Sequence, residues 1–174
     1  LSGGNPGVNY EIGNGPKGGT TWPEIAEYAR RIIPVIRKNA PEAVILVGTP
    51  HFSSRIDEAV AAPLEDDNIM YVFHVYTEGT EGIPAEKIDA VLADGLPVFV
   101  SEWGMTKGGT SDAEQAQAFI AYMREKKLSW ANWSLCNKDE SFSAIRPDVA
   151  KLSGWTDADL TESGRIVFAA LAGQ

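Results

Sequence analysis

Cysteine, histidine and positive charge are all scarce in this chain of 174 residues. The single cysteine, Cys136, excludes an internal disulfide, and two histidines with one cysteine leave little for a zinc site. The net charge is −9, so a nucleic-acid backbone or an anionic membrane would be a poor partner. We therefore expect no metal, no nucleic acid and no membrane surface among its partners.

Long hydrophobic runs are also absent. No apolar run reaches the ~18 residues that a membrane-spanning helix needs. The first residues, LSGGNPGV, have neither a basic start nor an apolar stretch, so we expect no secretory signal in this chain. Apolar residues make up 44% and charged residues 22%, which argues against disorder. The length suits one domain over residues 1–174.

Five short apolar segments alternate with segments of helical periodicity. The predicted strands are Val8–Asn14, Ala43–Thr49, Asn68–Thr77, Pro97–Trp103 and Leu128–Cys136. The predicted helices are Thr21–Asn39, Arg55–Ala61, Pro84–Ala93, Ser111–Lys127 and Thr156–Ala172. This alternation predicts an α/β protein with a parallel sheet, either an open doubly wound sheet or a (β/α)8 barrel. A full barrel needs eight strands and about 250 residues, and this chain has only five predicted strands.

Polar and aromatic residues cluster at the carboxyl ends of the predicted strands, where both architectures place their sites. They are Asn14, Thr49, His51, Phe52, His74, Tyr76, Glu102, Trp103 and Trp133, with Lys138 and Glu140 in the loop that follows. A carboxylate after the apolar PVFVS segment is costly to bury. Glu102 is therefore either a structural carboxylate with a partner or a nucleophile in a sugar cleft, where Tyr76, Trp103 and Trp133 would offer apolar faces to pyranose rings.

Six motifs are similar to those of a known family. They are YEIGNGPKG, VGTP, FHVY, VSEWG, WANWSL followed by NKDES, and GWTDADLTESG. Over about residues 8–172 the chain resembles the C-terminal part of the glycoside hydrolase family 5 cellulases, the bacterial endo-β-1,4-glucanases. The resemblance implies a partial (β/α)8 barrel holding strands four to eight. It also implies a β-1,4-glucan or cello-oligosaccharide substrate, a secreted protein and no metal or organic cofactor.

The resemblance also implies roles for individual residues. Glu102, in VSEWG, matches the nucleophile of a retaining glycosidase. Asn14 matches a residue that contacts the sugar 2-hydroxyl. His74 and Tyr76 match residues that orient and hydrogen-bond the nucleophile region. Trp133 matches a stacking platform for sugar rings.

Three further positions match sugar contacts in that family. Lys138 and Glu140 correspond to loop residues that contact a sugar further along the cleft. Phe52 stands where the family often has a tryptophan, so one stacking contact is expected to be weaker. Trp103, next to the matched nucleophile, is also expected to contact substrate.

Gly15 is the main departure from the family pattern, because the general acid/base glutamate falls on this position. A retaining glycosidase needs two carboxyl groups about 5–5.5 Å apart, and glycine supplies none. Loss of a positioned proton donor typically costs ~10²–10⁴-fold in rate. Glu11 lies roughly 13 Å down the predicted strand at ~3.3 Å per residue, so we expect it to be buried and paired. Asp139 and Glu140 lie on a loop and are weak candidates for a substitute.

The family's first three βα units have no counterpart in this chain. A five-stranded piece leaves two unpaired edges that a closed barrel does not have. Two copies would supply ten strands rather than eight, so simple pairing does not rebuild the barrel. We therefore expect either an N-terminal fragment or self-association to cover the edges, and not a monodisperse monomer.

Other interpretations stay open on sequence alone. Residues 13–18 spell G-x-G-x-x-G after a strand, which could indicate a dinucleotide site, but Pro16 removes one of the amides that would bind phosphate. A catalytically dead cleft that still binds glucan would keep the aromatic residues and Glu102. Gly15 could also be an engineered or erroneous replacement in an active cellulase. Cys136 is interpreted as a packing residue.

Overall fold

The computed structural model describes residues 7–77, 83–105 and 110–173. The strands in this part of the chain are β1 (Tyr10–Ile12), β2 (Ile45–Val47), β3 (Ile69–Thr77), β4 (Val98–Met105) and β5 (Ser129–Asn132). The α-helices are α1 (Trp22–Arg37), α3 (Ala85–Ala93), α4 (Thr110–Glu125) and α5 (Glu162–Ala172), and α2 (Pro50–Ser53) is a single turn. Short 3₁₀ turns cover Ile56–Ala59 and Asp157–Asp159. No described helix is long and apolar enough to cross a membrane.

The five strands form one sheet in the order β1-β2-β3-β4-β5. β1 pairs with β2, and β2 with β3, in parallel register. A doubly wound sheet reverses its strand order at a switch point, whereas successive strands of a (β/α)8 barrel follow one another without reversal. The observed order therefore confirms the predicted alternation of strands and helices and favours the barrel over the doubly wound sheet.

Two compact units divide the chain, and the boundary crosses β3 and β4. The first holds Leu1–His74 and Ala85–Val100, and the second holds Val75–Pro84 and Ser101–Gln174. The expectation of one domain over the whole chain stays a prediction.

The first unit is built around β2, whose three residues are all buried. The helix α1 packs with one apolar stripe at helical spacing, formed by Trp22, Ile25, Ala26, Ala29 and Ile33. Its start carries the capping box that the sequence indicates, because the backbone N–H of Thr21 donates to Glu24 Oε2 over 2.8 Å. This bond lowers the pKa of Glu24.

Residues 50–53 form a turn that the sequence analysis did not predict. His51, Phe52 and Ser53 all have positive φ, between 54° and 61°. The turn is stabilised locally, because Thr49 accepts from the Ser53 N–H over 3.0 Å and Phe52 donates to the Pro16 carbonyl over 2.7 Å. The predicted helix at Arg55–Ala61 is shorter and is a 3₁₀ turn.

The second unit has a core of large side chains on β4 and α4. Trp103, Phe119 and Met123 are fully buried, and the rings of Trp103 and Phe119 meet edge to face with centroids 6.2 Å apart. Burying a side chain of this size typically stabilises the folded state by about 1.5–3 kcal/mol.

The predicted last helix is divided in two by a second capping arrangement. Thr156 donates to Asp159 through its N–H and hydroxyl over 2.6 and 2.7 Å, and Lys151 Nζ lies 2.6 Å from the same carboxylate. These contacts, with that of Lys151 the largest, lower the pKa of Asp159 to about 2. The helix α5 then begins after Thr161, whose hydroxyl accepts from the Gly164 N–H over 2.9 Å.

The start of α5 is tied to the preceding loop. The Thr161 hydroxyl also donates to the carbonyl of Ser143 over 2.5 Å. A Cβ added at Gly164 would lie 2.0 Å from the carbonyl oxygen of Ala144, so only glycine permits this approach. The loop that leads from β5 to α5 is therefore fixed to the end of the chain.

Candidate active site

Gly15 lies in the glycine-rich loop that follows β1. Its φ is +54°, a left-handed conformation that side-chain-bearing residues rarely adopt. The loop lies directly on the end of β2, because a Cβ at Gly48 would be 1.9 Å from the carbonyl oxygen of Gly13. Asn14, in this loop, is exposed. The helix α1 starts only at Trp22, so the loop does not open a helix as a dinucleotide-binding loop does.

His74 lies beside the same loop, within the first unit. Its side chain is 8% exposed. A Cβ at Gly15 would lie 3.8 Å from His74 Cε1 and 3.9 Å from Nδ1. On the other side of the ring, Nε2 is 3.9 Å from Glu11 Oε1. The structure therefore brings Glu11, His74 and position 15 together.

Glu11 corrects one prediction. It is not buried, since its side chain is 27% exposed. Because β1 lies at the end of the described sheet order and pairs only with β2, its side chain is not covered from both sides. The pairing that the sequence analysis expected is present, since the carboxylate approaches His74.

Phe52 is 55% exposed and belongs to the left-handed turn after β2. Its ring and that of His51 flank Gly18, where an added Cβ would lie 3.6 Å from Phe52 Cε2 and 3.4 Å from His51 Nδ1. The exposed phenyl ring is free to present an apolar face on its outer side.

Glu102 accepts a hydrogen bond from the phenol of Tyr76 in the second unit. Burial and the neighbouring carboxylate of Glu102 raise the pKa of Tyr76, with a smaller contribution from the charge of Glu140. The phenol therefore remains a protonated donor throughout the neutral range. The Tyr76 ring also packs on Phe142, with centroids 5.8 Å apart. Sequence reasoning missed Phe142, because a single aromatic residue in a long loop carries no periodic signal.

Gly104 allows the backbone of β4 to lie close to Trp133, Phe142 and Tyr76. A Cβ there would lie 2.6 Å from the carbonyl oxygen of Trp133, 3.1 Å from Phe142 Cβ and 3.2 Å from Tyr76 Cε1. Glycine is thus required for the backbone of β4 to approach the end of β5 this closely.

Trp103 was predicted to contact substrate, and for its side chain this is wrong. The indole is 0% exposed and packs edge to face against Phe119 and Trp130. Successive side chains of a strand point to opposite faces, so Trp103 is directed away from the face that carries Glu102. Its carbonyl accepts from the Trp133 N–H over 2.7 Å, so its backbone supports the residue that follows β5.

Trp133 is 41% exposed and offers indole surface to solvent. The peptide bond between Trp133 and Ser134 is cis. Lys138 and Glu140 lie together in the loop beyond, with Lys138 Nζ 4.0 Å from Glu140 Oε1, and both are exposed. Cys136 is partly buried and accepts from the Ser134 hydroxyl at 3.3 Å. Among the described residues, no three histidine, cysteine or acidic side chains are grouped as metal ligands.

These features define a parallel α/β protein with a phenol-bound carboxylate near a strand end and exposed aromatic rings in its loops. Comparison with known proteins identifies the class further. Residues 2–139 match the family model described as "Cellulase (glycosyl hydrolase family 5)". The chain belongs to glycosyl hydrolase family 5.

Its curated relatives are longer proteins. The chain is 44% identical over 174 aligned residues to Endoglucanase A of Evansella cellulosilytica. The alignment covers 96% of this chain and 35% of that protein. It is 39% identical to Endoglucanase 5 of Pectobacterium carotovorum subsp. carotovorum, over 96% of this chain and 34% of that protein. The chain therefore spans about a third of the length of these relatives.

Solved structures show the same fold. A structure from Cytophaga hutchinsonii matches with a TM-score of 0.90 and 34% identity, over 98% of this chain and 57% of that one. The catalytic domain of a Thermobifida fusca endoglucanase was solved in complex with cellotetraose. It matches with a TM-score of 0.89 and 31% identity, over 98% of this chain and 59% of that one. The predicted partial (β/α)8 barrel is thus confirmed as the fold class.

Proposed function

We propose that this chain carries the nucleophile and substrate contacts of a retaining endo-β-1,4-glucanase. The hydrogen bond from Tyr76 to Glu102, within the VSEWG and FHVY motifs of the family, carries this proposal. A catalytic nucleophile needs one carboxylate oxygen held and the other available for attack. Because the pKa of the Tyr76 phenol is raised, the phenol stays protonated and donates its hydrogen bond while Glu102 carries the negative charge.

In the proposed reaction Glu102 attacks the anomeric carbon and forms a glycosyl ester, which water then hydrolyses. Asn14 contacts the sugar 2-hydroxyl. Trp133 and Phe52 offer exposed aromatic faces to the apolar sides of pyranose rings, and both are large enough for such stacking.

Gly15 is the defect in this machinery. The residue at this position should protonate the leaving oxygen and later remove a proton from water. Glycine does neither, so we propose that hydrolysis by the chain is impaired by the ~10²–10⁴-fold that a positioned proton donor usually supplies.

The proposed substrate is β-1,4-glucan or a cello-oligosaccharide. Supporting this, the Thermobifida fusca relative was solved with cellotetraose and the curated relatives are named endoglucanases. We also propose a secreted protein, and either self-association or an N-terminal fragment that covers the sheet edges. A monodisperse particle of the mass of one chain in light scattering would contradict the association.

The test measures reducing-sugar release from a soluble β-1,4-glucan by the unchanged chain, Gly15→Glu and Gly15→Gln. A Cβ at position 15 meets no atom closer than 3.8 Å, so the first atom of either side chain fits without a clash. The positive φ costs each of them about 1–2 kcal/mol of stability. Because glutamine shares this strain and lacks the acid, any gain in activity confined to Gly15→Glu reports the missing carboxyl group.

Each outcome is informative. Activity that rises only in Gly15→Glu supports the assignment of position 15. If the unchanged chain and both variants release no sugar, position 15 does not by itself limit hydrolysis, and the βα units of the family that this chain does not contain are needed for activity. Full activity in the unchanged chain contradicts the assignment of position 15 as the sole acid/base.

A glucan-binding protein without turnover is the alternative, favoured by the combination of Gly15 with exposed Trp133 and Phe52. Affinity electrophoresis in a gel that contains glucan separates the two. Retardation that Trp133→Ala abolishes, together with no hydrolysis by the unchanged chain, would support the binding function.

A further inference from the structure

Phe142, in the loop after β5, lies against the ring whose phenol binds Glu102. The ring centroids of Phe142 and Tyr76 are 5.8 Å apart, and the two planes are tilted by 54°. Both residues are half-buried. They meet at Gly104, where an added Cβ would lie 3.1 Å from Phe142 Cβ and 3.2 Å from Tyr76 Cε1. The Tyr76 ring is therefore bounded by a second ring and by the backbone of β4.

The segment that carries Phe142 is anchored by its backbone. The Phe142 carbonyl accepts from the Ser134 N–H over 3.2 Å, and the Ala144 N–H donates to the Ser134 carbonyl over 3.1 Å. Between them, the carbonyl of Ser143 accepts from the Thr161 hydroxyl over 2.5 Å. The backbone at residues 142–144 is thus already ordered by these bonds, so the Phe142 ring packs on Tyr76 without a further cost in backbone entropy.

The contact bears on the hydrogen bond from Tyr76 to Glu102 because such bonds are directional. A hydrogen bond weakens steeply when its donor angle falls below about 120°. The hydroxyl lies at the far end of the Tyr76 ring, so a small rotation of the side chain moves it away from the carboxylate. A neighbour that limits this rotation therefore keeps the phenol aligned with its acceptor.

We propose that Phe142 is a positioning residue for the nucleophile, because it holds the Tyr76 ring in the orientation in which the phenol donates to Glu102. This inference rests on the proposed function. Tyr76, Glu102, Gly104 and Phe142 all belong to the second compact unit. The loop after β5 thereby acts on the attack by Glu102, in addition to the sugar contacts proposed for its other residues.

Two other roles for Phe142 make different predictions. If its ring stacked directly on a sugar, its loss would weaken substrate binding whether or not Tyr76 had a hydroxyl. If it only packed, its loss would lower stability and leave the rate of the folded protein unchanged. A double-mutant cycle with Tyr76→Phe separates the three roles, since positioning requires the phenol that Tyr76→Phe removes.

The experiment measures the first release of dinitrophenolate from 2,4-dinitrophenyl β-cellobioside after rapid mixing. This group leaves without a proton, so its release reports attack by Glu102 and does not require an acid at position 15. We expect Phe142→Ala to lower the maximal rate of release ~2–10-fold and to leave the half-saturating concentration unchanged. In the Tyr76→Phe background the same substitution should change the rate less than about twofold. Phe142→Leu keeps apolar bulk and should restore part of the rate.

Trp155 offers a matched control in the same loop. It is an aromatic residue, half-buried like Phe142, and its indole N–H donates to the Lys151 carbonyl over 3.0 Å. It lines a cavity together with Val149 and Leu152. A general loosening of the loop would appear in Trp155→Ala as well, so we expect this variant to leave the rate of release unchanged.

An unchanged maximal rate in Phe142→Ala, an equal loss in the Tyr76→Phe background, or the same loss in Trp155→Ala would overturn the inference and leave the proposed function intact. No release of dinitrophenolate by the unchanged chain would overturn the proposed function, and the inference with it. Circular dichroism checks that each variant is folded. If Phe142→Ala is not, Phe142→Leu takes its place in the cycle, with a smaller loss that must again disappear in the Tyr76→Phe background.

Discussion

Replacement of Gly104 by alanine tests the close approach beside the Tyr76 and Glu102 pair. The added Cβ would meet the carbonyl oxygen of Trp133 at 2.6 Å, and this oxygen belongs to the backbone, so a strand must move. Overpacking of this kind typically costs about 1–3 kcal/mol. Alanine recovers roughly 0.4–1 kcal/mol by restricting the unfolded chain. We expect a net loss of about 1–2 kcal/mol in the free energy of unfolding.

Gly18→Ala is the control for this measurement. Its Cβ would meet only side-chain atoms, His51 Nδ1 at 3.4 Å and Phe52 Cε2 at 3.6 Å, and side chains can turn away. Both variants change the unfolded chain in the same manner, so the difference between them isolates crowding in the folded state. For a chain of this size, about 2–4 °C in Tm corresponds to 1 kcal/mol. We therefore expect Gly104→Ala to melt about 2–8 °C below the unchanged chain in calorimetry, and Gly18→Ala at or slightly above it.

The outcome that refutes the reasoning is a Gly104→Ala variant that melts with the unchanged chain. Gly104 would then not be required for packing, and the approach of β5 to β4 would tolerate a methyl group. Glucanase activity, if the proposed function holds, should fall in Gly104→Ala because the Tyr76 ring lies 3.2 Å from the new Cβ.

Three further predictions follow from individual contacts. Tyr76→Phe removes the donor to Glu102, a hydrogen bond to a charged acceptor that is typically worth about 1.5–3 kcal/mol, and should lower kcat about 10–100-fold; an unchanged kcat would contradict this role. Trp103→Ala should destabilise the fold by about 3–5 kcal/mol in urea unfolding, because its indole is buried. Trp133→Ala, at an exposed indole, should leave stability nearly unchanged and weaken glucan binding. A larger loss of stability in Trp133→Ala than in Trp103→Ala would contradict this reasoning. Hydrogen bonds keep the pKa of Asp159 at about 2, so its contribution to stability is present above pH ~4 and is lost as pH falls toward 2. Acid unfolding of Asp159→Asn should lack that part of the pH dependence.

The strands and most helices could be predicted from the sequence because their signals are local. Continuous apolar runs gave β2 and β4, and the threonine and glutamate at the start of α1 formed the expected capping box. The turn at residues 50–53 could not be predicted, because histidine, phenylalanine and serine have no strong preference for positive φ. Tertiary contacts of the neighbouring glycine-rich loop select that conformation.

Within the candidate site, the errors have physical causes. Strand alternation places Trp103 and Glu102 on opposite faces, so neighbours in one motif need not share a site. Glu11 was expected to be buried because it lies deep along the strand of a barrel, whereas β1 here has only β2 beside it in the described sheet. The position of His74 between Glu11 and Gly15 could not be predicted, since it depends on the packing of three segments far apart in sequence.

The helix α5 helps to hold the Tyr76 phenol in place, although the helix itself lies outside the site. Thr161 and Gly164 tie the helix to residues 143 and 144, and Phe142, next to them, packs on the ring of Tyr76. A protease cut or a premature stop codon that removed α5 would therefore loosen the phenol that holds Glu102. Loss of α5 would therefore lower activity in a screen as an active-site substitution does, although Tyr76 and Glu102 themselves would still be present.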